Sequence, residues 1–364
     1  MKYLLIYAFY FTSLIGSVFQ KQFDVAGNNK LEIQKALNLV PEKQFKGMAY
    51  LIQHMPEEDL KNLSSDFLLN NCSLAYNAWY QSAWYSEISE ELFFNYILPY
   101  ANLNEKREDW RKEFNEMCLP IIKNAKTISD AVVLLNQNIF EEVGVIYSTD
   151  RPKADQAPFE SIEAGMASCT GLSILLINAC RSIGIPARFV GTPLWYNNSG
   201  NHSWVEIWDD GWHYTGAAEP VGDKLDEIWF AEYASKATPG DMKYGIFAVT
   251  WENKELYFPM DWLPEVKTYS SIDVTHNYKK GFKPEALIPI RVRFLNTAGK
   301  RDATDIKVKN KNTIIFEGIT KDETFDSNDH LTIMLGKGEV FIFETRYGEK
   351  QFIVEEETLL DLGF

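Results

Sequence analysis

Residues 169–188 constrain this chain more tightly than any other stretch. Leu172, Leu175, Leu176, Ala179 and Ile183 recur at i, i+3, i+4, i+7 and i+11, which predicts a helix over 169–183 with one apolar stripe. Gly184 follows as the expected C-cap, and Pro186 bars the helix from continuing. Extended segments come next, at 187–194, 203–208 and 212–215. Asp209-Asp210-Gly211, between the last two, is a hairpin signal. The centre of the chain therefore reads as a helix followed by antiparallel sheet.

Two regions of different pattern flank this centre. Residues 25–145 read as helices: Phe45, Met48, Leu51 and Ile52 fall at helical spacing, as do Leu92 and Tyr96, and then Trp110, Phe114, Met117 and Cys118. Ser129-Asp130 before an apolar run marks another helix start. A segment with Pro152 and Pro158 then intervenes, and 225–280 is aromatic without a clear period. Residues 279–284 read as a linker. Beyond it Ile288, Ile290, Val292 and Phe294 alternate strictly. Ile306 and Val308, Ile314 and Phe316, Leu331, Ile333 and Leu335, then Val340, Ile342 and Glu344 continue the period of two. Several short strands at regular spacing suggest a small β-sandwich. The expected organisation is a leader over 1–19, a helical region over 20–127, an α+β core over 128–280 and an all-β sandwich over 285–364.

Composition narrows the function classes. A formal net charge of −15 counts against nucleic acid as the main partner, because phosphate backbones call for a basic patch. Four cysteines in 364 residues are too few for a disulfide scaffold, and none form a C-x-x-C pair. His54, His276 and His330 have no acidic or Cys partners at metal-ligand spacing, so no metal and no cofactor are expected. Lys2 followed by an apolar run, turning polar by Gln20, resembles a secretory signal peptide with its best cleavage window at 16–19. An uncleaved anchor or a buried first helix is the alternative. Past this segment no apolar run is long enough to span a bilayer. Export to the periplasm or the exterior is the expectation; there Cys72 and Cys118 could pair.

Cys169 begins the best-defined helix, where unpaired backbone N–H groups and the helix dipole favour a thiolate. Ala167, Ser168, Thr170 and Gly171 leave room beside it. Cys180 lies about 16 Å along the helix at 1.5 Å per residue, too far to bridge to Cys169, and reads as packing. His202 opens the strand after the turn 197–201, placed to take and return a proton for Cys169; a surface loop His is the other reading. His213 competes from the next strand. A third group should orient the imidazole. Glu219 is the available carboxylate after that strand, with Glu206, Asp223 and Asp226 as alternatives. The Cys169 N–H and Gln156 are candidate oxyanion donors.

Three segments together resemble the transglutaminase-like superfamily: A-S-C-T-G-L-S at 167–173, A-C-R-S-I-G-I-P-A-R at 179–188, and N-H-S-W-V-E-I at 201–207 with Gly211-Trp212. The resemblance covers about 130–220. It implies a papain-like core in which the helix bearing the nucleophile packs on antiparallel sheet, a Cys-His-Asp type triad, and a bacterial secreted member of the family. Carried over, Cys169 matches the nucleophile and His202 the base. The third member departs from the pattern: the family's Asp falls four residues after the hairpin Trp, where this chain has Gly216. Gly216-Ala217-Ala218-Glu219 is similar to the peptide N-glycanase D-A-C-E with the Asp lost and the Glu kept, so Glu219 is the expected replacement.

The expected function is that of a secreted cysteine hydrolase acting on a peptide or glycopeptide. The alternative is an impaired scaffold that binds a peptide or glycan through an aromatic cleft. Seven of the ten Trp (195, 204, 208, 212, 229, 251 and 262) fall within residues 195–262 and are candidate cleft walls, with Trp195, Trp204 and Trp212 as the candidate substrate-binding residues. Filling a core is what Trp side chains also do.

Overall fold

A computed structural model describes residues 17–279, 287–311 and 313–363. The expected leader lies, up to residue 16, outside the described residues, as does most of the expected linker. Phe19, at the leader's end, is buried, with its ring tilted against Phe23.

The helices gather around one central rod. They include α1 (Phe45–His54), α2 (Ser65–Gln81), α3 (Glu90–Tyr96), α4 (Arg111–Ile121), α5 (Ile128–Glu142), α6 (Pro158–Ala164) and α7 (Cys169–Ser182). Helix α5 begins earlier than the sequence suggests: Thr127 is its N-cap and accepts from the Asp130 N–H, while the Ser129 hydroxyl reaches Asp209 at 2.5 Å. Every residue of α7 is buried, not a single stripe. The α2, α4 and α5 helices pack against it on one side and the sheet on the other. Arg181 tolerates this burial because its guanidinium donates to the carbonyls of Tyr96, Ala101 and Ala187. Gly184 ends the rod with φ +80°, and a Cβ there would stand 2.6 Å from the Ala78 carbonyl oxygen, so no other residue fits.

The chain then forms β1 (Ala187–Thr192), β2 (His202–Trp208), β3 (Trp212–Thr215), β4 (Phe247–Val249) and β5 (Ser271–Asp273). Their order is β3-β2-β1-β4-β5, and every neighbouring pair is antiparallel. Asp210, at φ +53°, turns the β2–β3 hairpin. The last two strands lie in the aromatic region where no period was legible.

The C-terminal part holds β6 (Leu287–Arg293), β7 (Asp305–Asn310), β8 (Thr313–Ile319), β9 (Leu331–Gly336), β10 (Val340–Thr345), β11 (Gly348–Ile353) and β12 (Thr358–Asp361). One sheet is ordered β8-β7-β10-β11, the other β9-β6-β12, with β12 parallel to β6. Both contribute to one buried cluster that includes Ile290, Val308, Ile333 and Phe343. In β10 the inward residues are Phe341 and Phe343 rather than the Val340–Ile342–Glu344 set, because aromatic rings outcompete that set for the interior.

The loop 320–330 between β8 and β9 reaches back to the core. The Ser327 N–H donates to the Tyr147 hydroxyl at 2.9 Å, and the Asn328 amide to the Asn201 carbonyl at 3.2 Å. Arg301 holds the loop from behind through the carbonyls of Phe325, Asp326 and Asp329. All four cysteines are free and buried, so Cys72 and Cys118 are not paired; burial pushes each of those two thiols up to about 12. Among the described residues no helix is long and apolar enough to cross a membrane.

Candidate active site

The start of α7 is fixed before any charge enters the argument. Ser168 is its N-cap, accepting from the Gly171 N–H at 3.2 Å and donating to the Ala154 carbonyl at 2.6 Å. A Cβ at Gly171 would meet Ala167 Cβ at 2.9 Å, so the small residue lets the helix sit close to the preceding turn. One hydrogen bond then ties helix to strand: Thr170, next to Cys169, and Ser203, next to His202, share 3.1 Å between hydroxyls. The two reactive side chains are thereby held at one level.

His202 opens β2, pairs with Thr192 at the end of β1 and is 1% exposed. Rings of Phe230, Trp229, Trp204 and Trp195 surround it, with centroids 4.6, 5.1, 5.9 and 6.0 Å away. Carboxylates approach both of its nitrogens: Glu219 Oε2 lies 3.5 Å from Nε2, and Asp326 Oδ2 lies 3.6 Å from Nδ1. These are ion-pair distances, and neither nitrogen has a hydrogen-bond partner among the described residues. Cys169 Sγ, one His202 nitrogen and an Asp326 oxygen all lie within 4.8 Å of one another.

The electrostatics follow from this enclosure. Burial would depress the His202 imidazole, but Glu219 and Asp326 outweigh it and hold the ring well above its ordinary value. Burial pushes the Cys169 thiol up and Asp326 adds to the push; contact with His202 pulls it back only in part. Asp326 is held low: burial opposes this, but His202 and hydrogen bonds from Asn328 prevail. Cys169, His202 and Asp326 are also the group of potential metal donors that converges among the described residues. Their positions, up to 157 apart in sequence, give no spacing from which this could be read.

Glu219 reaches His202 through space that Gly216 leaves open. A Cβ at Gly216 would stand 2.6 Å from Glu219 Oε2, so the volume an Asp at 216 would need is filled by the Glu219 carboxylate. Trp229 steadies it, donating from Nε1 to Oε2 at 2.9 Å. The other carboxylates considered are engaged elsewhere. Glu206 accepts from Arg188 and from the Tyr278 hydroxyl, Asp226 pairs with His213 Nδ1 at 2.7 Å, and Asp223 accepts from Gln137.

The remaining sequence candidates lie as follows. Trp195 and Trp204 are buried, stacked 6.1 Å apart behind His202, with their faces covered by protein. Trp212 lies at the far end of β2, opposite Trp208, and carries the Arg188 guanidinium 3.6 Å above its ring. Gln156 is buried beside the start of α7, and its amide N–H groups donate to the Glu160 and Met166 carbonyls, which commits them away from an oxyanion. The Cys169 N–H stays at a helix start, where first-turn donors lack intrahelical acceptors.

A cavity of about 640 Å³ adjoins Glu219 and Asp326, walled by Phe140, Val145, Tyr147, Trp229 and Phe325. Sequence reasoning missed Asp326 and Phe325, whereas Trp229, one of the seven clustered Trp, does line this cavity. Asp326 stands in a polar loop 124 residues beyond His202, where Asp, Ser and Asn signal only a turn.

No curated protein matches the sequence. Among solved structures, a candidate cysteine protease from Cytophaga hutchinsonii is similar at 18% identity and a TM-score of 0.31, over 40% of this chain and 48% of that one. A candidate protease from Parabacteroides distasonis is similar at 10% identity and a TM-score of 0.27, over 67% of this chain and 37% of that one. This chain therefore spans about half the length of the first and just over a third of the second. Residues 115–216, which hold Cys169 and His202 but neither carboxylate, match the model of the transglutaminase-like superfamily, and it is this segment of the chain that is similar to that family.

Proposed function

We propose that this protein is a cysteine hydrolase that cleaves peptide or amide bonds by acyl transfer. One observation carries the reading: a Cys at a helix start shares a 4.8 Å neighbourhood with a His flanked by two carboxylates. In the competent form the Cys169–His202 pair holds one proton, kept on the imidazole by Glu219 and Asp326. The sulfur attacks the carbonyl carbon, and the C–N bond breaks as His202 gives its proton to the departing amine. Water, deprotonated by His202, then attacks the thioester and frees the acid and the thiol. Backbone N–H groups at the start of α7 are placed to stabilise the oxyanion. The cavity beside Asp326 is the space for the substrate chain. Export, expected from the N-terminal segment, would deliver the enzyme to peptides or glycopeptides outside the cytoplasm.

A second reading, an impaired scaffold that binds a peptide or glycan, draws on the raised Cys169 thiol and on the aromatic walls Tyr147, Trp229 and Phe325. Iodoacetamide labelling followed by mass spectrometry separates the two. Cys169 should label faster than Cys180, with a rate that climbs only above the ordinary thiol value of about 8.5, and His202→Ala should move that climb higher still. Equal labelling of the two cysteines, or indifference to His202, sinks the enzyme. Loss of peptide hydrolysis in Cys169→Ala completes the test.

A further inference from the structure

The seam between the core and the C-terminal β-domain holds a second cavity, of about 280 Å³, lined by Tyr196 and Tyr233 from the core and by Arg291, His330 and Glu357 from the β-domain. Two of these residues carry a buried nitrogen without a partner. The Arg291 side chain is 4% exposed; its terminal nitrogens hold Glu357 and Glu232, and its Nε has no acceptor among the described residues. His330 is 7% exposed, and its Nδ1 makes no hydrogen bond to the described residues. Buried polar groups are almost always satisfied, so each orphan calls for an explanation, and two on one cavity point to a common missing partner.

The charge around the cavity says what kind of partner fits. Glu357 is already engaged by Lys236, Tyr196 and Arg291, which hold its carboxyl at about 2 despite burial. At His330 too the field is positive. Burial pushes this imidazole down to about 3, and the guanidiniums of Arg301, Arg293 and Arg291 push the same way against carboxylates that include Asp326 and Asp361. The orphaned Arg291 Nε–H, and a proton taken up by His330 in this positive field, are both complemented by an oxygen that carries negative charge.

We propose that this seam binds a small ligand bearing a phosphate or carboxylate group, whose oxygens accept from Arg291 Nε–H and from His330 once that ring takes up a proton. Both sides of the seam contribute, so the bound group bridges core and β-domain. It also stands four residues from Asp326, the carboxylate that the same loop presents to His202.

The test is calorimetric titration of the full-length protein in phosphate-free buffer, with inorganic phosphate in one arm and acetate in the other. Saturable binding in either arm is expected, and the stronger arm names the source of the oxyanion. His330→Ala and Arg291→Lys should each weaken that binding about tenfold or more, the scale of a charge-assisted hydrogen bond. His330 Nδ1 makes no hydrogen bond to the described residues, so His330→Ala should keep the fold. Should Arg291→Lys unfold, proton NMR of the unmodified protein replaces it, and the His330 ring resonances must move with added phosphate or acetate. No saturable binding in either arm, or binding untouched by the His330 substitution, overturns the proposal.

Discussion

His202 and His330 are both imidazoles sealed inside the protein, and the structure drives them in opposite directions. His202 lies between Glu219 and Asp326 and is held well above its ordinary value. His330 lies among Arg291, Arg293 and Arg301 and is pushed down to about 3. Burial alone would discharge both rings, so the difference measures what surrounds them. One loop serves both environments. Residues 320–330 deliver Asp326 to the first ring and end on the second, while Arg301 grips the loop's carbonyls and adds its charge to the field at His330. A proton carrier and a neutral core imidazole are thus built four residues of backbone from the same carboxylate.

The largest effect that could break this comparison is the loss of the charged ring itself. Under the acyl-transfer mechanism Cys169→Ala and His202→Ala should each reduce kcat/KM on a cleaved peptide by about 10⁴-fold or more, because nucleophile and base act as a unit. Since each alone disables the unit, the double variant should be scarcely worse than either single one. A His202→Ala enzyme within tenfold of the parent would mean that the ring between the carboxylates is not the base.

A smaller effect should separate the two carboxylates. Removing either charge lowers the His202 pKa, so in Glu219→Gln and in Asp326→Asn the Cε1 proton of that ring should titrate at lower pH by NMR. Loss of the orienting group costs on the order of 10²–10⁴ in kcat in comparable triads, and Glu219→Gln should fall in that range. Gly216→Asp combined with Glu219→Ala should recover part of the loss, because the Glu219 carboxylate occupies the volume the new Asp would enter. No recovery in the double variant would mean that Glu219 does not stand in for an Asp at 216. Asp326→Asn has a second signature. Asp326 raises the Cys169 thiol, so its removal should shift the pH midpoint of Cys169 alkylation downward, whereas His202→Ala shifts it upward.

The legible half of the site was the half that is local in sequence. The helix start at Cys169, the Gly184 stop and the strand entry at His202 each follow from one segment's own pattern, since capping, a positive φ and alternation are short-range properties. Glu219 could be named because it follows the hairpin that ends at Thr215. Asp326 could not, because the contact that gives it meaning spans two domains, and an Asp between two strands reads the same whether it touches a catalytic ring or water. The Trp residues mislead for a related reason. Trp195 and Trp204 sit at the His202 end of the sheet, as their positions suggest, but periodicity cannot say whether a ring faces a cleft or, as here, is covered by other rings. The same blindness reversed the inward face of β10, where Phe341 and Phe343 alternate as regularly as Val340 and Ile342.

The smallest expected effect is on stability, and here the two histidines should part in sign. An unfolded imidazole titrates near 6.5. His330 takes up its proton only near 3 in the folded protein, so between those values the unfolded chain binds more protons than the native one. Its contribution is therefore present above about pH 6.5 and is lost as the pH falls toward about 3. His202 behaves oppositely. Its folded value is raised, so its contribution is full below about pH 6.5 and fades as the pH climbs through that raised value. Urea midpoints at about pH 4.5 and about pH 7.5, in phosphate-free buffer, read both effects. Relative to the parent, His330→Phe should gain stability at the lower pH and change little at the higher one. His202→Ala should lose more at the lower pH than at the higher. If both variants shifted in the same direction with pH, the opposing fields around these two rings would not exist in solution, and the carboxylates beside His202 could not be what keeps its proton in place.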